Sequence, residues 1–445
     1  MKYAEYLQIE DLRSYLTPRE SPFVLDNNAG GGFVGDTDLV QINIMKYESE
    51  ESSGAKSQAV MDPTSGAYIP LPPYAIRSGP RRYIYHDPSQ VTAALVTCGG
   101  LCPGLNDVIQ NIVYTLADYG VPEDQIFGIR YGLRGFLDRH AKPIQLGRSQ
   151  VDGIQLKGGT MLGTSRGNAR IKDIVDRLRL WGINMLFVIG GNGGNAAAHA
   201  IAQECMESGV RCNVVGVPKS IDNDIQLIDR CFGFDTAVEE AQRSLICARV
   251  EARSAAGISI VKLMGRQSGF ISMNASMASG VVDVCLIPEI NFKMDKLLKF
   301  IESVLKSKNH CVVCVAEGAG QNILDDGIPA GATDASGNPI LKDIGTFLRD
   351  TFRKEFKGID VKYIDPSYMI RSIPTITTDR IYCKVLGQGA VHGAFAGFTD
   401  FTVGLVNTHY VFLPTTTIIQ SARTVDPTGR QWNRLKTAIN QPDLA

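Results

Sequence analysis

The chain has 445 residues, 44% of them apolar and 20% charged, enough for two or three packed lobes of ordinary globular size. Its 45 lysines and arginines nearly cancel its 46 aspartates and glutamates, which excludes an overall field that gathers nucleic acid or an anionic membrane; anionic ligands have to be caught locally. No stretch reaches the ~18 uninterrupted apolar residues of a membrane span.

The amino terminus, MKYAEYLQIEDLRSYL, is acidic and amphipathic, without the apolar centre of a signal peptide, and its spacing predicts a short helix over Tyr6 to Leu16. Loop-like composition follows through DNNAGGGF, EESSGAKSQ and TSGAYIPLPP, so residues 1–90 read as an arm. From Thr92 the pattern changes. Short apolar runs recur (TAALVTCGG, NMLFVIGG, CNVVGVPKS, ISIVKLMG, HCVVCVAEG), each ending in glycine or proline and followed by helical periodicity. Such runs are strands buried on both faces, the signature of parallel sheets covered by helices. Between them, Thr236 to Glu239 matches a capping box, Ala237, Ala241, Leu245 and Ala248 form a small-residue packing face, and Ile344, Phe347, Leu348, Thr351, Phe352 and Phe356 trace an apolar stripe. The ten cysteines are scattered, mostly in apolar runs, which fits buried thiols in a reducing compartment and a cytoplasmic protein. Cys311 and Cys314 form a lone CxxC inside a strand, where packing explains them better than metal binding.

Ligands of open parallel sheets sit where strands end, and five ends carry polar chemistry. CGGLCPGLNDVI (Cys98–Ile109) runs from strand through a glycine and proline turn into a helix whose free amides attract phosphate. In KGGTMLGTSRGNAR (Lys157–Arg170), glycines admit a ligand to the backbone and Arg166 supplies a cationic fork. VIGGNGGNAAAHAI (Val188–Ile201) satisfies G-x-G-x-x-A through Gly191, Gly193 and Ala196. The next strand lacks the acidic end a dinucleotide turn requires, so a loop for the terminal phosphates of a nucleotide competes with that reading. PKSIDNDI (Pro218–Ile225) packs Lys219, Ser220, Asp222 and Asp224 into six residues, where one carboxylate can act as base and the other as magnesium ligand; a solvated turn looks similar. The fifth group is MGRQSGF, AEGAG and KYIDPSYMIR, each ordinary by itself.

In this order these segments, with GFDTAVEEAQRS, CLIPEINF and AVHGAFAGFTDF, resemble the plant-type ATP-dependent members of the phosphofructokinase family over about Thr92 to Leu413. The resemblance implies an α/β fold of two doubly wound parallel-sheet lobes with an N-terminal extension: 91–233 with 370–420 as nucleotide lobe, 234–369 as sugar-phosphate lobe, and 421–445 as a tail. It implies transfer of the terminal phosphoryl group of ATP, with Mg2+, to fructose 6-phosphate. Position by position it makes Asp222 the base, Asp224 and residue 192 the metal-side groups, and Arg166 a catalytic cation. Gly99, Arg166, Gly191, Asn192 and Gly193 fall on nucleotide positions. Ser220, Asp222, Met264, Gly265, Arg266, Glu317, Lys362, Tyr368 and Arg371 fall on sugar-phosphate positions. Asp222 and Asp224 are expected to titrate together, each raising the other while Lys219 and magnesium lower both. An oligomer is implied, a homotetramer or a mixed assembly with related subunits, some of whose sugar sites include residues from a neighbour.

The pattern breaks in one turn. Where the family reads GGDG and then Ser or Thr, this chain has Gly190, Gly191, Asn192, Gly193 and Gly194, losing a carboxylate near magnesium and a hydroxyl. An impaired enzyme and a catalytically weak regulatory subunit are both consistent with that loss. Pyrophosphate-using members carry an aspartate at the position of Gly193, so glycine there favours ATP.

Overall fold

The computed structural model describes residues 6–22, 32–45, 60–61, 68–69, 71–167, 169–324 and 340–445. The loop-like stretches read at 26–33, 50–58 and 64–73 lie wholly or partly outside them. Seventeen strands are described: β1 Arg19–Glu20, β2 Leu39–Gln41, β3 Val60–Met61, β4 Tyr68–Ile69, β5 Tyr74–Arg77, β6 Tyr83–Ile84, β7 Ala93–Thr97, β8 Ile126–Ile129, β9 Ile144–Gln145, β10 Met185–Gly190, β11 Asn213–Pro218, β12 Ile258–Leu263, β13 Val284–Leu286, β14 Cys311–Ala316, β15 Val361–Ile364, β16 Phe401–Val406 and β17 His409–Pro414.

Nine of them form one sheet in the order β2-β5-β17-β16-β11-β10-β7-β8-β9, and four form a second in the order β13-β14-β12-β15. The small sheet is parallel throughout. The large one is parallel from β16 to β8, as the apolar runs predict, and antiparallel at both edges, so the sheet as a whole is mixed. Two of the edge strands, β2 and β5, come from the amino-terminal segment.

Each central strand is hydrophobic on both faces because both are covered. On β7 and β10, Ala93, Leu95, Met185, Phe187 and Ile189 join one core with the helices Leu105–Tyr119 and Thr377–Phe395. Ala94, Val96, Leu186 and Val188 join another with the helices Ile171–Trp181 and Asn192–Glu207. Full burial of the larger of these, the valines, leucines, isoleucine, methionine and phenylalanine, stabilises by roughly 1.5–3 kcal/mol each. The CxxC is divided the same way: Cys311 lies in the core of the small lobe and Cys314 in the large core, as the period of two along β14 requires. Of the ten cysteines, all free, only Cys247 is exposed.

Two local expectations fail, both because tertiary partners outcompete local signals. Tyr6 to Leu16 holds only a 3₁₀ turn at Arg13–Tyr15. Leu7 N–H donates to Tyr74 O (2.8 Å) and Leu12 N–H to Gly397 O (2.9 Å), and burial of both leucines holds the segment against the large lobe. The capping box is absent as well. The helix Phe234–Ser254 begins two residues before Thr236, behind Gly233 at φ +84°. Thr236 donates its N–H (2.8 Å) and hydroxyl (2.6 Å) to Asp379, which arrives from another helix. The predicted face of that helix is as read, with Ala237, Ala241, Leu245 and Ala248 fully buried, as are Ile344, Leu348 and Phe352 on the helix Ile344–Glu355.

Candidate active site

In the large sheet the chain runs outward from β7 to β8, then returns to place β10 and β11 on the other side of β7. The helices after β7 and β10 therefore diverge, leaving a crevice at the carboxyl ends of these strands. Gly99 (φ +88°) turns the chain out of β7 and Gly104 (φ +104°) leads into the next helix. The segment Lys157–Arg170 is stitched over this turn: Thr164 Oγ1 donates to Gly99 O (2.7 Å) and Gly99 N–H to Ser165 O (3.2 Å). This brings Arg166 to Gly100. A Cβ on Gly100 would lie 3.4 Å from Arg166 Nη2 and 3.7 Å from Arg371 Nη1, and one on Gly99 would lie 3.6 Å from Lys219 Nζ. Three cations thus surround a bare backbone turn, next to free amides at helix starts, an arrangement suited to phosphate oxygens.

Across the crevice, β10 ends in Gly190, Gly191 caps the helix Asn192–Glu207, and Lys219 N–H donates to Gly190 O (3.0 Å). That register sets PKSIDNDI beside the glycine loop. Asn223 adopts φ +59° and its side chain accepts from Cys231 N–H (2.8 Å), which fixes the two flanking carboxylates. Asp224 accepts from the Ser220 hydroxyl on one oxygen and from Asn192 Nδ2 on the other (2.9 Å). Asp222 is half-buried, and its Oδ1 is shut off from solvent with no hydrogen-bond partner among the described residues.

The small sheet supplies the opposite wall. Adjacent β12 and β14 lead directly into Met264–Arg266 and Glu317, Glu317 N–H donates to Leu263 O (2.9 Å), and Arg266 Nε stands 3.6 Å from Glu317 Oε1. Gly265 (φ +134°) and Gly318 allow the two strand ends to touch: a Cβ on Gly318 would fall 1.8 Å from Arg266 O. Ser268 Oγ donates to Asp222 O (3.3 Å), joining the walls. Withdrawal from solvent pushes the Asp222 carboxyl up to about 7, helped by the charges of Asp224 and Glu317 and opposed by Lys219 and Arg266. Burial raises Asp224 too, against the hydrogen bonds of Ser220 and Asn192 and the charge of Lys219.

The structure thus gathers Gly99, Arg166, Gly191, Asn192, Gly193, Ser220, Asp222, Asp224, Met264, Gly265, Arg266, Glu317 and Arg371 about one cleft. Tyr368 lies under Arg371, whose guanidinium sits 4.6 Å from the ring centroid. Lys362 is not brought in. It is the second residue of β15, beside Ser259 near the far end of β12, and pairs with Asp360 (2.9 Å).

Residues 92–394 match the family model described as Phosphofructokinase. The chain belongs to the phosphofructokinase family. It is 50% identical over 421 residues, 93% of this chain and 76% of the relative, to "ATP-dependent 6-phosphofructokinase 5, chloroplastic" of Arabidopsis thaliana. A Borreliella burgdorferi protein named ATP-dependent 6-phosphofructokinase is 42% identical, over 82% of this chain and 85% of its own. The solved pyrophosphate-dependent phosphofructokinase from Marinobacter aquaeolei superposes with a TM-score of 0.67 at 20% identity, covering 80% of this chain and 92% of that one, a likeness of fold alone.

Within this phosphofructokinase fold, Gly100, Ser268 and the reach of Lys219 Nζ between two glycine turns are site features without a signal in the sequence. Each depends on contacts between distant segments; only the place of Lys219 directly after a strand end hinted at its role. Among the described residues no group of three or more His, Cys, Asp or Glu is placed to hold a metal. A magnesium ion, which takes one or two carboxylates together with phosphate oxygens and water, nevertheless fits Asp222 and Asp224, since Asp222 Oδ1 is a buried acceptor awaiting a partner.

Proposed function

We propose that this chain transfers the terminal phosphoryl group of ATP to the 1-hydroxyl of fructose 6-phosphate, the committing step of glycolysis. The observation that carries the reading is Asp222: a solvent-shielded, unpartnered carboxylate oxygen between a cation-lined glycine turn and the Arg266–Glu317 wall. Its raised pKa makes it a stronger base than an ordinary carboxylate, suited to accept the hydroxyl proton as the oxygen attacks. Arg166 and Lys219 stand where charge on the migrating group develops, Gly191 and Gly193 admit the phosphates to backbone, and Ser220, Met264, Gly265, Arg266, Glu317, Tyr368 and Arg371 bind the sugar phosphate. Asp224 would hold magnesium, whose part is to neutralise phosphate charge, leaving Asp222 to the proton. Alignment and exclusion of water supply the remainder.

The test is turnover of the purified chain with fructose 6-phosphate and either ATP or pyrophosphate. The expected result is a rate with ATP that falls about 10²–10⁴-fold in Asp222→Ala; a rate confined to pyrophosphate would overturn the donor assignment. Asn192 favours one other reading, a weak regulatory subunit, because an amide stands where the family has a carboxylate. Inactive wild type revived by Asn192→Asp would support it.

We also propose an oligomer, a homotetramer or a mixed assembly, in which Lys362 serves a neighbouring chain's sugar site. Its distance from its own cleft and the exposure of Tyr368 (73%) and Met369 (72%) support this. Light scattering that finds only monomer would count against it. Among the described residues no helix is long and apolar enough to cross a membrane. The proposed compartment is the cytoplasm, and plastid accumulation of the tagged full chain would refute that.

A further inference from the structure

Asn192 is the first residue of its helix, and its side chain is committed. Nδ2 donates to Asp224 Oδ2 at 2.9 Å while the Ser220 hydroxyl serves Oδ1, so both oxygens of the metal-side carboxylate have neutral donors drawn from two neighbouring turns. Asp222, two residues earlier, keeps an oxygen with no partner among the described residues. A carboxylate at position 192 would set two acceptors at that same 2.9 Å, with a third charge close by. Such a cluster stays together only by binding a proton or a cation. The amide removes that requirement.

We infer that Asn192 is a positioning residue whose amide N–H occupies the place of a divalent cation at Asp224, so that the chain without nucleotide holds Asp224 in its working position and has little affinity for free metal. The inference deepens the proposed function, because it takes the Asp222–Asp224 turn as the metal side of a phosphoryl-transfer site. In this site the metal affinity of the unliganded chain is set by the charge at residue 192. Asn192 trades a standing ion site for a carboxylate that is ordered without one, which is also why Asn192→Asp is not a simple restoration: it adds a ligand and, in the absence of metal, repulsion.

The test uses the full chain, free of nucleotide and sugar, with Mn2+ as probe. Free Mn2+ is measured by electron paramagnetic resonance, and melting is followed in chelator and in excess Mn2+. The expected result is weak Mn2+ binding by wild type, a gain of about 10–100-fold in Asn192→Asp, and loss of that gain in the double variant Asn192→Asp/Asp224→Asn. Asn192→Asp should melt below wild type in chelator and recover in Mn2+, while wild type barely responds to the ion. Asn192→Ala, which lacks both amide and charge, should fall short of Asn192→Asp in Mn2+ affinity. Wild type binding Mn2+ as tightly as Asn192→Asp, or no Mn2+ gain in that variant, overturns the inference. If Asn192→Asp does not fold, wild type and Asp224→Asn decide alone: tight wild-type binding lost in Asp224→Asn overturns it, and weak binding in both supports it. None of these readouts needs turnover, so a chain inactive with every donor would sink the proposed function while the Mn2+ results kept their meaning.

Discussion

Asp222→Asn should make the metal-free protein more stable while nearly abolishing its activity. The Asp222 carboxyl is raised from its ordinary 3.8 to about 7 by withdrawal from solvent and by the charges of Asp224 and Glu317. The folded chain therefore binds the Asp222 proton more tightly than the unfolded chain does. The stability linked to that proton is fully present below pH 3.8 and is lost as pH rises through about 7. At ~1.4 kcal/mol per pH unit, the charged carboxylate costs the native state on the order of a few kcal/mol above neutrality, and less than half of that at about pH 5. An asparagine of nearly the same shape does not titrate. Urea unfolding of both proteins in chelator, at about pH 8 and about pH 5, should show an advantage for Asp222→Asn that shrinks to less than half at the lower pH. In the coupled kinase assay, the same variant should lose about 10²–10⁴-fold in rate. A gap unchanged between the two pH values, or wild type the more stable at pH 8, would refute the assignment of Asp222 as a base kept at a cost to stability.

Three further outcomes are expected. Gly193 lies in the first turn of its helix with open space around any added Cβ. Gly193→Asp should therefore fold and melt no lower than wild type, yet lose about 10²-fold or more in kcat/KM for ATP, since one like charge at ~4 Å costs roughly 4 kcal/mol near a protein surface; unchanged ATP kinetics would place the donor phosphates elsewhere. Asp379→Ala strands the buried Thr236 N–H and hydroxyl and should cost about 2–4 kcal/mol in chemical unfolding, with Thr236→Val in the same chain recovering part; a loss under 1 kcal/mol would show the cross-helix cap to be dispensable. Lys362→Ala should raise KM for fructose 6-phosphate about 10-fold or more with kcat nearly kept, as loss of a charged hydrogen bond does, and an unchanged KM would remove Lys362 from the sugar site.

The architecture was readable from residue 92 onward because strands buried on both faces leave an unbroken apolar run, and β7, β10, β11, β12 and β14 stand where TAALVT, NMLFVIG, NVVGVP, ISIVKL and CVVCVA predict them. The edge strands were not readable. β2 and β5 are three and four residues long, and β5 is fixed by β17, more than 300 positions away, rather than by any local period. The same physics explains Thr236, a plausible local cap that takes a stronger partner from the helix Thr377–Phe395. Within the site, the turn that carries Asp222 and Asp224 was legible by composition. What sequence could not supply was which turns meet: the hydrogen bond from Asn192 to Asp224 spans 32 positions, and the approach of Arg371 to Gly100 spans far more.

That last approach ties two distant segments of the cleft together. Arg371 Nε is buried without a hydrogen-bond partner among the described residues, and so is Asp222 Oδ1. Leaving either group unpaired costs roughly 1–3 kcal/mol, and an unpaired donor and an unpaired acceptor in one cleft are consistent with the proposed phosphate and hydroxyl ligands. The helix Ser367–Arg371 does not stand free of the donor side. Gly158, in the loop that carries Arg166, packs so closely on the backbone behind Arg371 that a Cβ would fall 2.0 Å from Ser372 O. A displacement of either segment is therefore transmitted to the other through backbone contact. Arg166, proposed for the donor phosphate, and Arg371, proposed for the sugar phosphate, are thus held in a common frame, and the spacing of their guanidinium groups is set by backbone contact.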